Sequence, residues 1–176
     1  MKKLIRSAAV LIVAAAAGAV VVATPAQAAT TKCYGEVGNL WEVDLPNKTD
    51  LLLGADPCIV RDGSGLYAYF SVRWQQCCIP AYGSGHKFDG VKITVRLERR
   101  PNGSSDDTVI TSRTCDITSA VNSTWSDIRA TCFTDMKFVY DSSYDWSADG
   151  TIQWDIDNDG DSWKPAKALN GSPLIT

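Results

Sequence analysis

Three groups of residues could do chemistry: a run of alternating aspartates, one histidine, and six cysteines. The segment Asp155-Ile156-Asp157-Asn158-Asp159-Gly160-Asp161 matches the first half of a calcium loop. In such loops alternate Asp oxygens surround a hard cation, and Gly permits a sharp turn. Asp155, Asp157, Asp159 and Asp161 are the candidate ligands, with Ca2+ the cofactor they would take. An EF-hand also needs a bidentate acid at its twelfth position, which here is Ala166, and no helical flanks are visible. The second reading is a turn between a strand containing Trp154 and one near Trp163, needing no cofactor. Asn158 and Gly160 suit its left-handed positions. Asp141, Asp145 and Asp149 are near enough in sequence to complete a different kind of site.

His86 would have to serve any Ser-His-Asp triad, with Ser84 before it and Asp89 after it. It lies in a Gly-rich stretch without a nucleophile elbow, so a solvated side chain is the expectation. Downstream of residue 28 the glutamates are Glu36, Glu42 and Glu98. None is flanked by aromatic residues on both sides, as a sugar-cleaving acid would be. No enzyme is expected.

The cysteines are Cys33, Cys58, Cys77, Cys78, Cys115 and Cys132. An even number in an exported chain points to three disulfides, and one histidine is too few to favour zinc. Oxidised cysteines also disfavour a Cys-His nucleophile. A bond between neighbours Cys77 and Cys78 would strain the peptide link, so each is expected to reach a different partner, with Cys33 and Cys58 the candidates. Cys115 and Cys132 lie in two strand-like runs separated by a polar loop and are expected to pair across a hairpin.

Export is read from the N-terminus. Lys2, Lys3 and Arg6 form a basic region, Leu11 to Val22 an apolar Ala-rich one, and Ala26-Gln27-Ala28 a cleavage site. Residues 1–28 are thus a cleaved signal peptide, 29–35 an extended N-terminal arm, and 36–176 one domain. Losing the three signal cations makes a formal charge of −3 more negative still. Nucleic-acid and anionic-membrane partners are therefore not expected, since both need clustered Lys and Arg. The densest charged run, Arg96, Glu98, Arg99 and Arg100, faces Asp106 and Asp107 across a turn. It reads as cross-strand pairing on a solvated face.

Strand periodicity governs what positions these residues. Val91, Ile93, Val95 and Leu97 alternate with polar partners, and Pro101-Asn102-Gly103 breaks the run before Thr108 to Ile117 returns as a hairpin partner. Leu66, Ala68, Phe70, Val72 and Trp74 face one way, and Tyr67, Tyr69, Ser71 and Arg73 the other. Further strands are expected at Ile128 to Phe133, Met136 to Tyr140 and Thr151 to Ile156, with a long surface loop at Ile79 to Lys87. The fold class is an all-β, disulfide-braced β-sandwich, Ig-like or jelly-roll-like.

Trp74 and Trp154 are expected in the core. Tyr67, Tyr69, Tyr82 and Trp125 are expected as partner contacts, because aromatic rings on a polar face anchor interfaces or stack on sugars. Ala29, Thr30, Thr31 and Lys32 carry no cap or core signal. They are either disordered or an extended peptide that enters a partner cleft or adds a strand to a sheet.

The whole chain resembles the small secreted adaptor of actinomycete umbrella toxin particles. The likeness rests on the Ala26-Gln27-Ala28 ending, the short arm before Cys33, the six-cysteine β-domain, the Asp157 to Asp161 turn and the closing Gly171-Ser172-Pro173-Leu174. It implies a non-enzymatic linker between a lectin-bearing subunit and a large repeat-containing toxin subunit. The arm would dock into the lectin-bearing subunit, and a face of the β-domain would grip the toxin subunit. Two other readings are a stand-alone carbohydrate-binding module and a secreted inhibitor of extracellular hydrolases presenting the Cys77 to Lys87 loop.

Overall fold

Apolar side chains recurring at every second residue decide the architecture. In a computed structural model the described residues are 28–77, 86–123, 126–135 and 137–176. The strands are β1 (Thr30–Cys33), β2 (Leu40–Val43), β3 (Leu51–Asp62), β4 (Gly65–Gln76), β5 (Phe88–Pro101), β6 (Thr108–Asp116), β7 (Ser126–Phe133), β8 (Phe138–Val139), β9 (Tyr144–Ile156) and β10 (Lys167–Ala168). A 3-10 turn covers Glu36–Gly38, and one short helix, α1, covers Thr118–Ser123.

Two antiparallel sheets result. The first runs β1-β3-β4-β7, with β2 sharing the β3 edge and β8 the β4 edge. The second runs β10-β9-β5-β6. The inner face of β4 is the expected one, since Leu66, Ala68, Phe70, Val72 and Trp74 are all fully buried. It packs against Val91, Ile93, Val95 and Leu97 of β5 and against Ala148, Ile152 and Trp154 of β9. Each large apolar side chain removed from water in this way contributes about 1.5–3 kcal/mol. Trp41 reaches the same layer from β2, its ring centroid 6.2 Å from that of Trp154.

At Gly150 of β9, the neighbouring strand β5 and the facing β4 together leave no room for a side chain. A Cβ on Gly150 would stand 1.9 Å from the Thr94 carbonyl oxygen and 2.7 Å from the Phe70 ring. The β5–β6 hairpin forms as expected, with Gly103 at φ 79° in its turn.

Five expectations are corrected. Cys33 and Cys58 bond to each other across β1 and β3, where they are register partners, so neither receives Cys77 or Cys78. Cys77 is disulfide-bonded too; Cys78 lies outside the described residues. Cys115 and Cys132 do bond, but β6 and β7 belong to different sheets and form no hairpin. Between them the polar stretch folds as α1. The Asp116 carboxylate accepts from the Thr118 amide at 2.9 Å, and Asn122 is bonded to both the amide and the carbonyl of Phe88.

The third correction concerns the charged run. Glu98 is only 5% exposed, and Arg96 reaches Glu98 at 2.9 Å and Asp149 of β9 at 3.6 Å. Arg99 lies over the Tyr144 ring at 4.2 Å, and only Arg100 meets Asp107, at 4.0 Å. Fourth, no strand forms beside Trp163, whose ring instead covers Gly90 and takes the Lys92 ammonium at 4.2 Å. The strand expected over Met136 to Tyr140 is reduced to β8, and Met136 lies outside the described residues.

Candidate interaction surface

The same alternation that buries one side of β4 turns Tyr67, Tyr69, Ser71 and Arg73 outward. On β7, Phe133 is the register partner of Tyr69 and points the same way. Its ring centroid lies 5.4 Å from Tyr69 and 6.3 Å from Tyr67, at interplanar angles of 35° and 44°. Lys137 completes this end, with its ammonium 5.3 Å from the Tyr67 centroid and 2.7 Å from Asp62. Its hydrogen bond and charge pairing with Asp62 raise the Lys137 pKa. Burial, and then the Asp56 charge, hold the Tyr69 phenol above its ordinary value.

The Cys33–Cys58 bridge lies beside these rings, the Tyr69 hydroxyl 3.9 Å from Cys33 Sγ. Asp56 accepts the Gly35 amide at 2.7 Å and fixes the chain leaving β1. Beyond it the Tyr34 ring lies against Gly38, where a Cβ would meet it at 2.0 Å. Val37 is 93% exposed and Leu40 50%. With Leu52, Gly54, Arg73 and Gln75 they line a shallow depression on the outer face of the first sheet. A second depression is bounded by Tyr67, Phe133, Thr134, Asp135 and Lys137. Clustered exposed apolar groups mark interaction sites more often than scattered ones do.

Of the expected contact residues, Tyr67 and Tyr69 therefore come together. Tyr82 and Trp125 lie outside the described residues. Thr30, Thr31 and Lys32 are extended, but their backbone partner is β3 of the same chain, and Lys32 donates to the Leu174 carbonyl at 2.6 Å. Ala29 precedes the strand and is exposed. Phe133, Tyr34, Val37 and Leu40 were not singled out in the sequence. Phe133 was the legible one, because it shares the polar-face parity of Arg129 and Thr131 on its strand.

The four aspartates separate. Asp157 pairs with Lys48 at 2.7 Å, while Asp159 and Asp161 both hold Lys164, at 2.7 and 2.6 Å. Asp155 lies earlier, on β9 opposite Gly90. Hydrogen bonds from these lysines hold the Asp157 and Asp159 carboxyls below their ordinary range. Asn158 does take the left-handed conformation, at φ 60°. His86 faces Asp89 and Asp157; Ser84 lies outside the described residues.

No family model, curated protein or solved structure matches this chain. The disulfides are those of an oxidising compartment. Among the described residues no helix is long and apolar enough to cross a membrane.

Proposed function

We propose that this chain is a secreted, non-enzymatic interaction protein that links subunits of an extracellular antibacterial toxin assembly. The observation that carries the reading is the outer face of the first sheet, where Tyr67, Tyr69 and Phe133 form an aromatic cluster and the exposed Val37 and Leu40 line a separate depression. Rigid aromatics bind partners at low entropic cost, and a disulfide beside them limits rearrangement. In this reading the face grips the large repeat-containing subunit, and the N-terminal segment with its open β1 edge meets the lectin-bearing one. The tilt between the three rings favours a protein partner over a flat sugar ring, which coplanar rings would suit better.

The test is native capture of the tagged chain from culture supernatant, followed by size-exclusion and mass spectrometry. Recovery in a large complex with a lectin-like and a repeat-containing protein supports the adaptor. Elution as a lone small monomer overturns it, and binding to insoluble chitin or cellulose would replace it with the carbohydrate-binding reading.

A further inference from the structure

At the far end of the sandwich from the β1 edge, three side chains that share no element converge. His86 precedes β5, Asp89 lies inside it, and Asp157 opens the turn after β9. The register explains the meeting. Phe88 pairs with Ile156 and Gly90 with Asp155, so Asp89 is the extra residue of a β-bulge. Bulges re-aim a side chain that regular pairing would direct elsewhere. Trp163 packed on Gly90 keeps the bulge in place.

His86 Nδ1 lies 3.9 Å from Asp89 Oδ1 and 3.7 Å from Asp157 Oδ1, and the three atoms all lie within 4.8 Å of one another. Both His86 separations exceed hydrogen-bond length. They match instead the spacing of ligands that share one ion, since donors about 2.0–2.2 Å from a metal stand roughly 3–4 Å apart. The other oxygen of Asp157 is taken by Lys48 at 2.7 Å, and the same ammonium donates to the His86 carbonyl. Lys48 thus orients the Asp157 carboxylate from behind and holds the backbone that carries His86, as outer-shell partners of metal ligands do.

We propose that His86, Asp89 and Asp157 form a binding site for one divalent transition-metal ion of the zinc class. An imidazole with two carboxylates suits Zn2+, Ni2+ or Cu2+, whereas Ca2+ takes oxygen ligands alone and more of them. Three protein ligands leave a position open to water or to a partner's side chain. The site is separate from the aromatic face and does not depend on the adaptor reading. Asp157 thereby acquires a ligand role different from the one its place in the aspartate run suggests.

The experiment titrates chelator-treated protein with zinc chloride by calorimetry and records visible absorption with cobalt chloride. The expected result is one zinc per chain and a cobalt spectrum. His86→Ala and Asp89→Asn each weaken zinc binding at least about tenfold, whereas Asp161→Asn leaves it unchanged. His86 and Asp89 side chains are more than half exposed, so both variants keep the fold, which circular dichroism checks. Absence of saturable zinc binding, wild-type affinity in both ligand variants, or displacement of zinc by equimolar calcium chloride overturns the site.

Discussion

Cys115 and Cys132 join the two sheets at their outermost strands, with Cα atoms 5.9 Å apart and a sequence separation of 17. The bridge closes the sandwich on the side where β6 and β7 are not paired by backbone hydrogen bonds. Replacing both cysteines by alanine lowers stability by about 2–4 kcal/mol, read from thermal melts. An unchanged melting midpoint would mean that core packing alone holds that side shut.

Gly150→Ala tests the packing of β9 against its neighbour β5 and against Phe70 of the facing sheet. Its new Cβ meets the backbone oxygen of Thr94, which cannot swing aside as a side chain would. The expected loss is at least about 1–3 kcal/mol, seen as a lower urea midpoint. A neutral result would mean that the backbone around Thr94 leaves room for a side chain at this position.

Deleting residues 29–32 tests whether the N-terminal segment is part of the first sheet. It removes the pairs from Thr30–Arg61 to Lys32–Ile59 and the Lys32–Leu174 bond. Stability falls by about 1–2 kcal/mol, because each net hydrogen bond contributes about 0.5–1.5 kcal/mol. The sequence alone predicts no loss, so the melting midpoint decides between an edge strand and a loose arm.

Phe133→Ala and Val37→Asp test the aromatic face. Val37 is so exposed that its replacement changes stability by no more than about 0.5 kcal/mol. Partner capture by Phe133→Ala weakens at least about tenfold if that ring is an anchor. Full recovery of partners by both variants moves the contact to another face.

Glu98 sets a pH dependence. Burial raises its pKa above the 4.5 of a free glutamate, against the pull of Arg96. The folded state then holds this proton more tightly than the unfolded state. Its contribution is fully present below the unfolded value and is lost as pH rises through the folded one. Melting midpoints measured upward from pH 4 fall less in Glu98→Gln than in wild type. Parallel curves would show that Glu98 is not the group responsible.

Alternation made β4, β5 and the C-terminal half of β9 legible, because one face of each is apolar and the other polar, and the Pro101-Asn102-Gly103 turn pointed to β6. The strand β3 escaped notice for the opposite reason. Leu51, Leu53, Ala55 and Ile59 line the core, but Cys58 and Val60 on its other face are buried as well. With apolar residues on both faces the strand shows no clean period, and Pro57 within it reads as a breaker. The Cys115–Cys132 bond could be found because both residues lie in strand-like runs, whereas their sheets could not, since sequence spacing does not reveal which layer a strand joins. Tyr67 and Tyr69 were legible from parity. The convergence of His86, Asp89 and Asp157 was not, because it depends on one bulged residue and on a turn 68 positions beyond Asp89.

The bond from Lys32 to the Leu174 carbonyl brings the two ends of the folded domain side by side. A short Gly/Ser bridge from Thr176 back to Thr30 should therefore close the backbone into a ring without moving either sheet. New ends opened between Asn102 and Gly103, where the turn is exposed, would leave every strand pairing in place. Such a permuted chain would present its termini at the exposed β5–β6 turn, free for display or immobilisation.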